Sequence, residues 1–159
     1  MSLPEQLTAF VESCLQTVAG SAAAAQRRAR GRPHARKLLQ VLADKTNILV
    51  TAHVHPDPDA LASCQALAAI LQIKLKGAQT TISLKGRIGG GINDAFTKVA
   101  NLKLDPWDES KLDEYDAIIL LDTQPMFAYS PLPPTVQPTA VIDHHIARGR
   151  KPKCAFCDT

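Results

Sequence analysis

Carboxylate and imidazole side chains follow three separate apolar segments of this 159-residue chain. They are His53, Asp57 and Asp59 in HVHPDPDALASC, Asp122 after AIILL, and Asp143, His144 and His145 after AVI. Oxygen and nitrogen donors without a thiolate favour Mn²⁺ or Mg²⁺, with Co²⁺ or Fe²⁺ as alternatives, over a structural zinc ion. Two ions that share a bridging carboxylate suit phosphoester hydrolysis, because together they stabilise the charge that develops on phosphorus. These residue types therefore indicate metal-dependent phosphoryl chemistry.

The first of these segments contains two prolines that restrict the residues before them. A residue that precedes proline is displaced from the α region, so we expect His55 and Asp57 to be extended. Side chains two apart in an extended segment face the same way, which would bring the carboxylates of Asp57 and Asp59 together. Such a pair repels unless a cation lies between the groups or one of them is protonated. The alternative is that Asp59 only caps the helix that follows.

Apolar segments with the pattern of buried strands alternate with helical segments along the chain. The predicted strands cover residues 47–53, 80–86, 116–123, 139–145 and 153–159, and the predicted helices between them cover 60–75 and 89–101. This order predicts an α/β fold with a doubly wound, mainly parallel sheet and flanking helices. Ligands bind beyond the carboxyl ends of strands in such sheets, so the three polar groups are expected to converge at one edge. For the triplet Asp143–His145 taken alone, the alternative is an ordinary polar turn.

The residues before the first strand are predicted to be largely helical. Residues 3–19 have an amphipathic pattern. Residues 20–33 are rich in alanine and arginine and indicate a linker or an exposed helix end, and residues 35–44 indicate a second short helix. We therefore expect a helical extension over residues 1–45 and an α/β domain over residues 46–159.

Composition narrows the class of protein further. With 45% hydrophobic and 21% charged residues, the chain is typical of a globular domain. No apolar run reaches the length of a membrane helix, and four cysteines without a secretory signal indicate reduced thiols and a cytoplasmic location. Aromatic residues make up 4% of the chain, so we expect no aromatic platform for stacking nucleic-acid bases.

Two arginines are candidates for contact with a phosphate group. Arg87 lies in the glycine-rich stretch GRIGGGIND, whose backbone N–H groups could cradle an anion, although a flexible turn is the alternative. Arg148 follows the triplet Asp143–His145, and a solvated loop charge is its alternative. Cys154 and Cys157 have the spacing of zinc or redox sites, but their place in a predicted strand favours structural thiols.

Three ordered motifs of the chain resemble motifs I, II and III of the DHH phosphoesterases. They are HVHPDPDALAS (53–63), LLDT (120–123) and VIDHH (141–145). The HxxPDxDA form of the first motif is most similar to the nanoRNase/pAp-phosphatase branch, which is related to RecJ-type exonucleases. Pro58 and Ala62 stand where that family often has glycine, but the proposed ligands are unchanged. The resemblance covers roughly residues 47–159.

The resemblance implies a parallel α/β domain with a centre of two Mn²⁺ ions, with Mg²⁺ or Co²⁺ as alternatives. In that family pattern, His53 and Asp57 would ligate one ion and Asp59 the other. Asp122 would bridge the two ions, and His144 would complete the second site. The implied substrates are short oligonucleotides or small nucleotides.

The same resemblance implies catalytic roles for Asp143 and His145, which would orient ligands or touch the scissile phosphate. The alternatives are a pyrophosphatase or polyphosphatase of the same superfamily, or a non-catalytic domain that binds metal or nucleotide. Homo-oligomerisation stays open. Fourteen residues follow His145, whereas the family has a further ligating aspartate and a second, substrate-binding domain downstream. We therefore expect the DHH domain to be incomplete at its C-terminus, and whether this length of chain is active stays open.

Overall fold

The computed structural model describes residues 22–146 and 152–159. The predicted helix over residues 3–19 and the candidate Arg148 lie outside the described residues. Leu38–Thr159 form one compact unit, which contains all the motifs named above.

The described residues contain a single sheet of five parallel strands. These are β1 (Asn47–Ala52), β2 (Gln79–Ile82), β3 (Ala117–Leu121), β4 (Ala140–Ile142) and β5 (Phe156–Asp158), in the spatial order β2-β1-β3-β4-β5. The chain winds outward in both directions from the central pair β1 and β3. In a doubly wound sheet of this order, the ligand-binding crevice lies at the carboxyl ends of β1 and β3. The predicted α/β class with a parallel sheet is confirmed.

Three α-helices and one 3₁₀-helix accompany the sheet in the described part of the chain. They are α1 (Ala22–Val41), α2 (Pro58–Lys74), α3 (Gly91–Val99) and the 3₁₀-helix Glu109–Glu114. Helix α1 is continuous, so the linker alternative for residues 20–33 and the separate helix over 35–44 were wrong, whereas the alternative of an exposed helical segment agrees with the described residues from Ala22 onward. Alanine and arginine have high helix propensity, which sustains α1 although its first part has no apolar stripe and contains Pro33. The boundary at residue 45 stays a prediction.

The central strands β1 and β3 are buried on both faces, which explains why they consist largely of apolar residues. Alternate residues of β1 enter different cores: Val50 packs on the side of α2, and Leu49 packs on the side of the 3₁₀-helix. The first core contains Leu38, Leu42, Ile48, Val50, Ala52, Leu61, Cys64, Leu71, Ile119 and Leu121. The second contains Leu49, Leu112, Ile118, Leu120, Leu132 and Val141. Leu132 lies in the proline-rich segment between β3 and β4, residues 125–138, which therefore covers this face together with the 3₁₀-helix.

None of the described helices combines the length and apolar character that a membrane crossing requires. The cytoplasmic location stays a prediction. Cys64, Cys154 and Cys157 are free thiols in the structure.

Candidate metal centre

The segment after β1 places a histidine and an aspartate at the carboxyl edge of the sheet. The half-buried His53 ring directs Nε2 toward Asp122 Oδ2 at 3.6 Å and toward Asp57 Oδ1 at 4.0 Å. Its Nδ1 lies 3.1 Å from the carbonyl oxygen of Val54. When Nδ1 donates to that carbonyl, Nε2 keeps its lone pair toward the carboxylates, which is the tautomer a metal ligand requires.

Asp57, and not Asp59, caps helix α2. Its backbone is extended, as predicted (φ −93°, ψ 178°), and Oδ1 accepts hydrogen bonds from the N–H groups of Asp59 and Ala60, both at 3.0 Å. Pro58 is the first residue of the helix, a position where proline is favoured. The alternative that Asp59 is the cap was therefore wrong, and so was the expectation of an extended segment that aims both carboxylates together.

His55 also departs from the prediction, because its φ of 58° lies in the left-handed region and is not extended. Two hydrogen bonds tie His55 to the loop after β2: the His55 N–H donates to the Lys85 carbonyl oxygen at 3.1 Å, and the Arg87 N–H donates to His55 Nδ1 at 2.9 Å. A third bond comes from helix α3, where Asn93 Nδ2 donates to the Pro56 carbonyl oxygen at 3.1 Å. These contacts stabilise the left-handed conformation of His55 against the preference of a residue before proline for extended backbone.

Asp122 lies between the histidines of the other two motifs. Its side chain is 10% exposed; Oδ2 faces His53, while Oδ1 lies 3.2 Å from His144 Nε2 and 3.6 Å from His145 Nδ1. Burial raises the pKa of the Asp122 carboxyl and the negative charge of Asp59 raises it further, although the three histidines oppose this shift. The centre therefore carries negative charge that a cation would stabilise.

A buried carboxylate holds the last histidine of the triplet. His145 Nδ1 donates to Asp143 Oδ1 at 2.7 Å, and Gln124 Nε2 donates to Asp143 Oδ2 at 2.7 Å and to the His145 carbonyl oxygen at 3.3 Å. Burial acts to raise the pKa of Asp143, but the hydrogen bonds from His145 and Gln124 outweigh it and keep that pKa low. The hydrogen bond to Asp143 raises the pKa of His145, against the effect of burial.

Two sets of potential ligands share one carboxylate. The first is His53, Asp57 and Asp122, and the second is Asp122, His144 and His145; within each set the ligand atoms lie within 4.8 Å of one another. Ligand atoms bonded at about 2.1 Å to a common divalent ion have similar mutual separations. Asp59 is in neither set, although it lines the same cavity. The oxygen and nitrogen donors fit the divalent ions predicted above.

The ligand sets open into a cavity of about 1030 Å³. Its lining includes His53, Asp57, Asp59, Asp122, His144 and His145, together with Thr123 and the apolar residues Met126, Phe127, Ala128, Tyr129 and Ile146. Two of the chain's few aromatic side chains therefore lie in this cavity. Composition does not report where aromatic residues lie, and the prediction that the chain has no aromatic platform for stacking bases stays a prediction.

The remaining sequence candidates among the described residues lie away from these ligand sets. Arg87 is exposed, does not line the cavity, and contacts His55 through its backbone N–H. The glycine-rich stretch forms the predicted turn into α3. Burial, followed by the proximity of Cys157, raises the pKa of the Cys154 thiol to about 11, which agrees with a structural thiol and opposes thiolate chemistry.

Sequence reasoning missed two residues that support the site. Gln124 is fully buried and holds Asp143, while His55 connects the first motif to the loop after β2. A polar residue directly after a buried strand that already ends in aspartate was the available signal for Gln124. For His55 the only signal was its place in the polar segment.

The sequence matches the DHH family, N-terminal domain, over residues 47–157. The chain belongs to the DHH family, part of a superfamily of metal-dependent phosphoesterases. It is also similar to the uncharacterized protein MJ1633 of Methanocaldococcus jannaschii, with 32% identity over 101 residues. That alignment covers 64% of this chain and 20% of the relative. The chain thus spans about a fifth of the length of this curated relative.

Proposed function

We propose that residues 46–159 are the metal-binding part of a phosphoesterase that hydrolyses short oligonucleotides or small nucleotides. The observation that carries this proposal is the position of Asp122, whose two carboxylate oxygens face separate sets of potential ligands. A carboxylate in this position can bridge two ions. Family membership supports the reaction class. The HxxPDxDA pattern at residues 53–60 supports the nanoRNase/pAp-phosphatase branch.

The proposed ligands divide between the two sides of Asp122. His53 and Asp57 would hold one Mn²⁺ ion, and His144 would hold the other, with Asp59 approaching from the first turn of α2. A pair of divalent ions at such a site supplies positive charge for the phosphoryl oxygens and lowers the pKa of a water molecule. Mg²⁺ and Co²⁺ are alternative ions for this donor set.

His145 has a different proposed role, because Asp143 already occupies its Nδ1. This pairing orients the ring toward the cavity, favours the protonated imidazolium and leaves Nε2 to donate to a phosphate oxygen or to the leaving group. Asp143 acts through His145 and is a positioning residue, since its side chain is fully buried. Gln124 supports the same arrangement through its hydrogen bonds to the Asp143 carboxylate and to the His145 carbonyl oxygen.

The first test is Mn²⁺ binding by calorimetry to the full chain and to Asp122→Asn. Removal of the shared charge should weaken both ions together, whereas Asp113→Asn, an exposed change on the 3₁₀-helix, should bind as the wild type does. Loss of a single ion in Asp122→Asn would show that this carboxylate does not bridge.

The second test is Mn²⁺-dependent hydrolysis by the full chain. The substrates are a dinucleotide, adenosine 3′,5′-bisphosphate and inorganic pyrophosphate. Release of mononucleotide or phosphate from either of the first two supports the proposal. Cleavage of pyrophosphate alone would assign the protein to the pyrophosphatases of the superfamily. Binding of Mn²⁺ without turnover of any substrate would show a non-catalytic metal-binding domain.

A further inference from the structure

The cavity at the candidate metal centre has a wall that metal binding does not explain. Beside the ligand sets, its lining continues over the apolar side chains of residues 126–129. A volume of about 1030 Å³ lies at the upper end of the roughly 300–1000 Å³ found for small-molecule sites. A phosphoryl group with its metal ions occupies only a small part of this space. The cavity therefore has room for a larger organic group beside the phosphate position.

Residues 126–129 form a turn whose backbone is held on both sides. The Phe127 N–H donates to the Gln124 carbonyl oxygen at 3.0 Å, and the Ser130 N–H donates to the Phe127 carbonyl oxygen at 3.0 Å. The Val54 N–H donates to the Tyr129 carbonyl oxygen at 2.8 Å. Since Val54 directly follows His53, this last bond attaches the turn to the segment that carries a proposed metal ligand.

The side chains of this turn are apolar and available to a ligand. Tyr129 is 69% exposed and Met126 is 48% exposed, while Phe127 is half-buried and meets the His145 ring edge-on, with the ring centroids 6.4 Å apart. Large apolar side chains that are exposed together at a cavity mark a binding surface. An aromatic ring and a polarisable thioether are both suited to the face of another π-system.

We propose that Met126 and Tyr129 form a nucleobase subsite, on which the base of the substrate packs while its phosphate lies at the ligand sets around Asp122. This inference rests on the proposed function and deepens it. Stacking on an aromatic ring tolerates every base, since each base has a π-face. The subsite therefore selects nucleotides over inorganic pyrophosphate and polyphosphate, which have no apolar surface to bury, and does not distinguish strongly among bases.

The test compares two probes that carry the same phosphate and differ only in the base. Binding of adenosine 5′-monophosphate and of ribose 5-phosphate to the Mn²⁺-loaded full chain is measured by calorimetry. The wild type should bind the nucleotide about tenfold more tightly or better, which corresponds to the lower part of the range for one stacked base. The double variant Met126→Ala/Tyr129→Ala should lose this preference and bind ribose 5-phosphate unchanged.

Two further variants control for damage to the fold. Ile92→Ala removes an equally exposed apolar side chain that does not line the cavity and should keep the preference. Tyr129→Phe retains the ring and should keep it as well. The inference is overturned if the wild type binds both probes equally or not at all, if the double variant keeps the preference, or if Ile92→Ala loses it.

The outcomes for the subsite and for the proposed function are separable. A preference for the nucleotide probe without any hydrolysis would refute the phosphoesterase function and leave the subsite standing. Hydrolysis of a dinucleotide without that preference would support the function and refute the subsite.

Discussion

At the scale of single residues, the centre depends on a carboxylate held in an unusual backbone conformation. Asp122 has a φ of 54°, and its N–H donates to the Ile142 carbonyl oxygen at 2.9 Å. Left-handed geometry is unfavourable for most residues, but aspartate and asparagine tolerate it better than others. Such positions persist where the surrounding structure imposes them. Here the chain turns sharply after β3 and leaves the carboxylate between His53 and His144.

We expect Asp122→Asn to stabilise the metal-free protein while it weakens the binding of both metal ions. The pKa of Asp122 is raised mainly by burial, so its ionised form costs folding free energy at neutral pH, and asparagine removes that charge while it tolerates the same backbone. The expected gain is about 0.5–1 kcal/mol, or about 2 °C in Tm, measured by calorimetric unfolding with a chelator present. A lower Tm for the variant would contradict this account.

Gln124 offers a second prediction at this scale. Gln124→Leu keeps the side-chain volume but removes the hydrogen bond that Gln124 Nε2 donates to the buried Asp143 carboxylate. The loss should cost about 1–3 kcal/mol in the free energy of unfolding, measured with urea. Gln72→Leu on the exposed face of α2 serves as the matched control and should change stability by no more than about 0.5 kcal/mol. Equal effects would show that the Gln124 contacts contribute nothing.

At the scale of elements, two loops together hold the first motif in place. The segment that carries His53 and Asp57 packs against the loop after β2, where His55 contacts the backbone of Lys85 and Arg87. A Cβ atom at Gly86 would lie 2.8 Å from His55 Nδ1. We therefore expect the loop after β2 to act on the candidate metal centre through His55, although none of its residues lines the cavity.

A comparison of two glycines with the same backbone conformation distinguishes the cost of backbone strain from the cost of a steric clash with His55. Gly86 and Gly77 have φ values of 94° and 93°, but no atom lies within 4 Å of a Cβ placed at Gly77. Gly77→Ala should cost about 1–2 kcal/mol from backbone strain alone. Gly86→Ala should cost more and should also weaken Mn²⁺ binding, because His55 must shift. Urea unfolding and calorimetry measure the two effects, and an unchanged Mn²⁺ affinity in Gly86→Ala would refute the proposed link.

At the amino ends of the strands, opposite the candidate metal centre, the carboxylate of Asp116 has a structural role. Asp116 accepts hydrogen bonds from the Thr46 N–H at 2.7 Å, the Thr46 hydroxyl at 2.9 Å and the Asn47 N–H at 3.0 Å. Desolvation opposes this, but the bonds from Thr46 and Asn47 outweigh it and lower the pKa of Asp116. This carboxylate joins the start of β1 to the start of β3.

The lowered pKa of Asp116 has a defined consequence for stability. A depressed pKa stabilises the fold above the unfolded value of about 3.9, and this contribution is lost as the pH falls through the folded value. We expect Asp116→Asn to cost about 1 kcal/mol at pH 7 and to flatten the fall in stability between about pH 5 and pH 3. Urea unfolding across this range, with Asp113→Asn as the control, measures both; parallel curves would contradict the assignment.

At the scale of the whole molecule, the centre exists only when distant strands are assembled. The potential ligands follow β1, β3 and β4, and so span residues 53–145 of the chain. An unfolded chain does not bring them together, so an ion bound at this centre must stabilise the folded state. The chain spans about a fifth of the length of the relative from Methanocaldococcus jannaschii, so the activity of the whole protein stays a proposal.

Mn²⁺ at about one hundred times its Kd should therefore raise the stability of the wild type by about 2.7 kcal/mol. The corresponding rise in Tm is about 5–10 °C. Asp122→Asn should show no rise, although it is the more stable of the two proteins without metal. The wild type should therefore be less stable than Asp122→Asn without Mn²⁺ and more stable with it. This reversal distinguishes a metal centre from a cluster of ion pairs, and its absence would exclude the centre.

The amino-acid pattern alone predicted the strands, their parallel direction and the edge at which the polar residues meet, whereas the spatial order of the strands came from the tertiary structure. Apolar runs such as AIILL define buried strands through local periodicity, and right-handed crossovers leave few topologies. The continuity of α1 was not determined in this way, because helix propensity sustains it without an apolar stripe. The family motifs likewise depend only on residue types and spacing.

Tertiary structure decided which carboxylate caps α2, how His55 turns and what lies beside the centre. Asp57 is the N-cap because Pro58 is the first residue of the helix. The left-handed conformation of His55 is stabilised by contacts with the loop some thirty residues later in the chain. The buried Gln124 and the apolar wall at Met126 and Tyr129 also depend on contacts between separate segments. Local sequence predicts local conformation, whereas these features arise from contacts that exist only after the strands have come together.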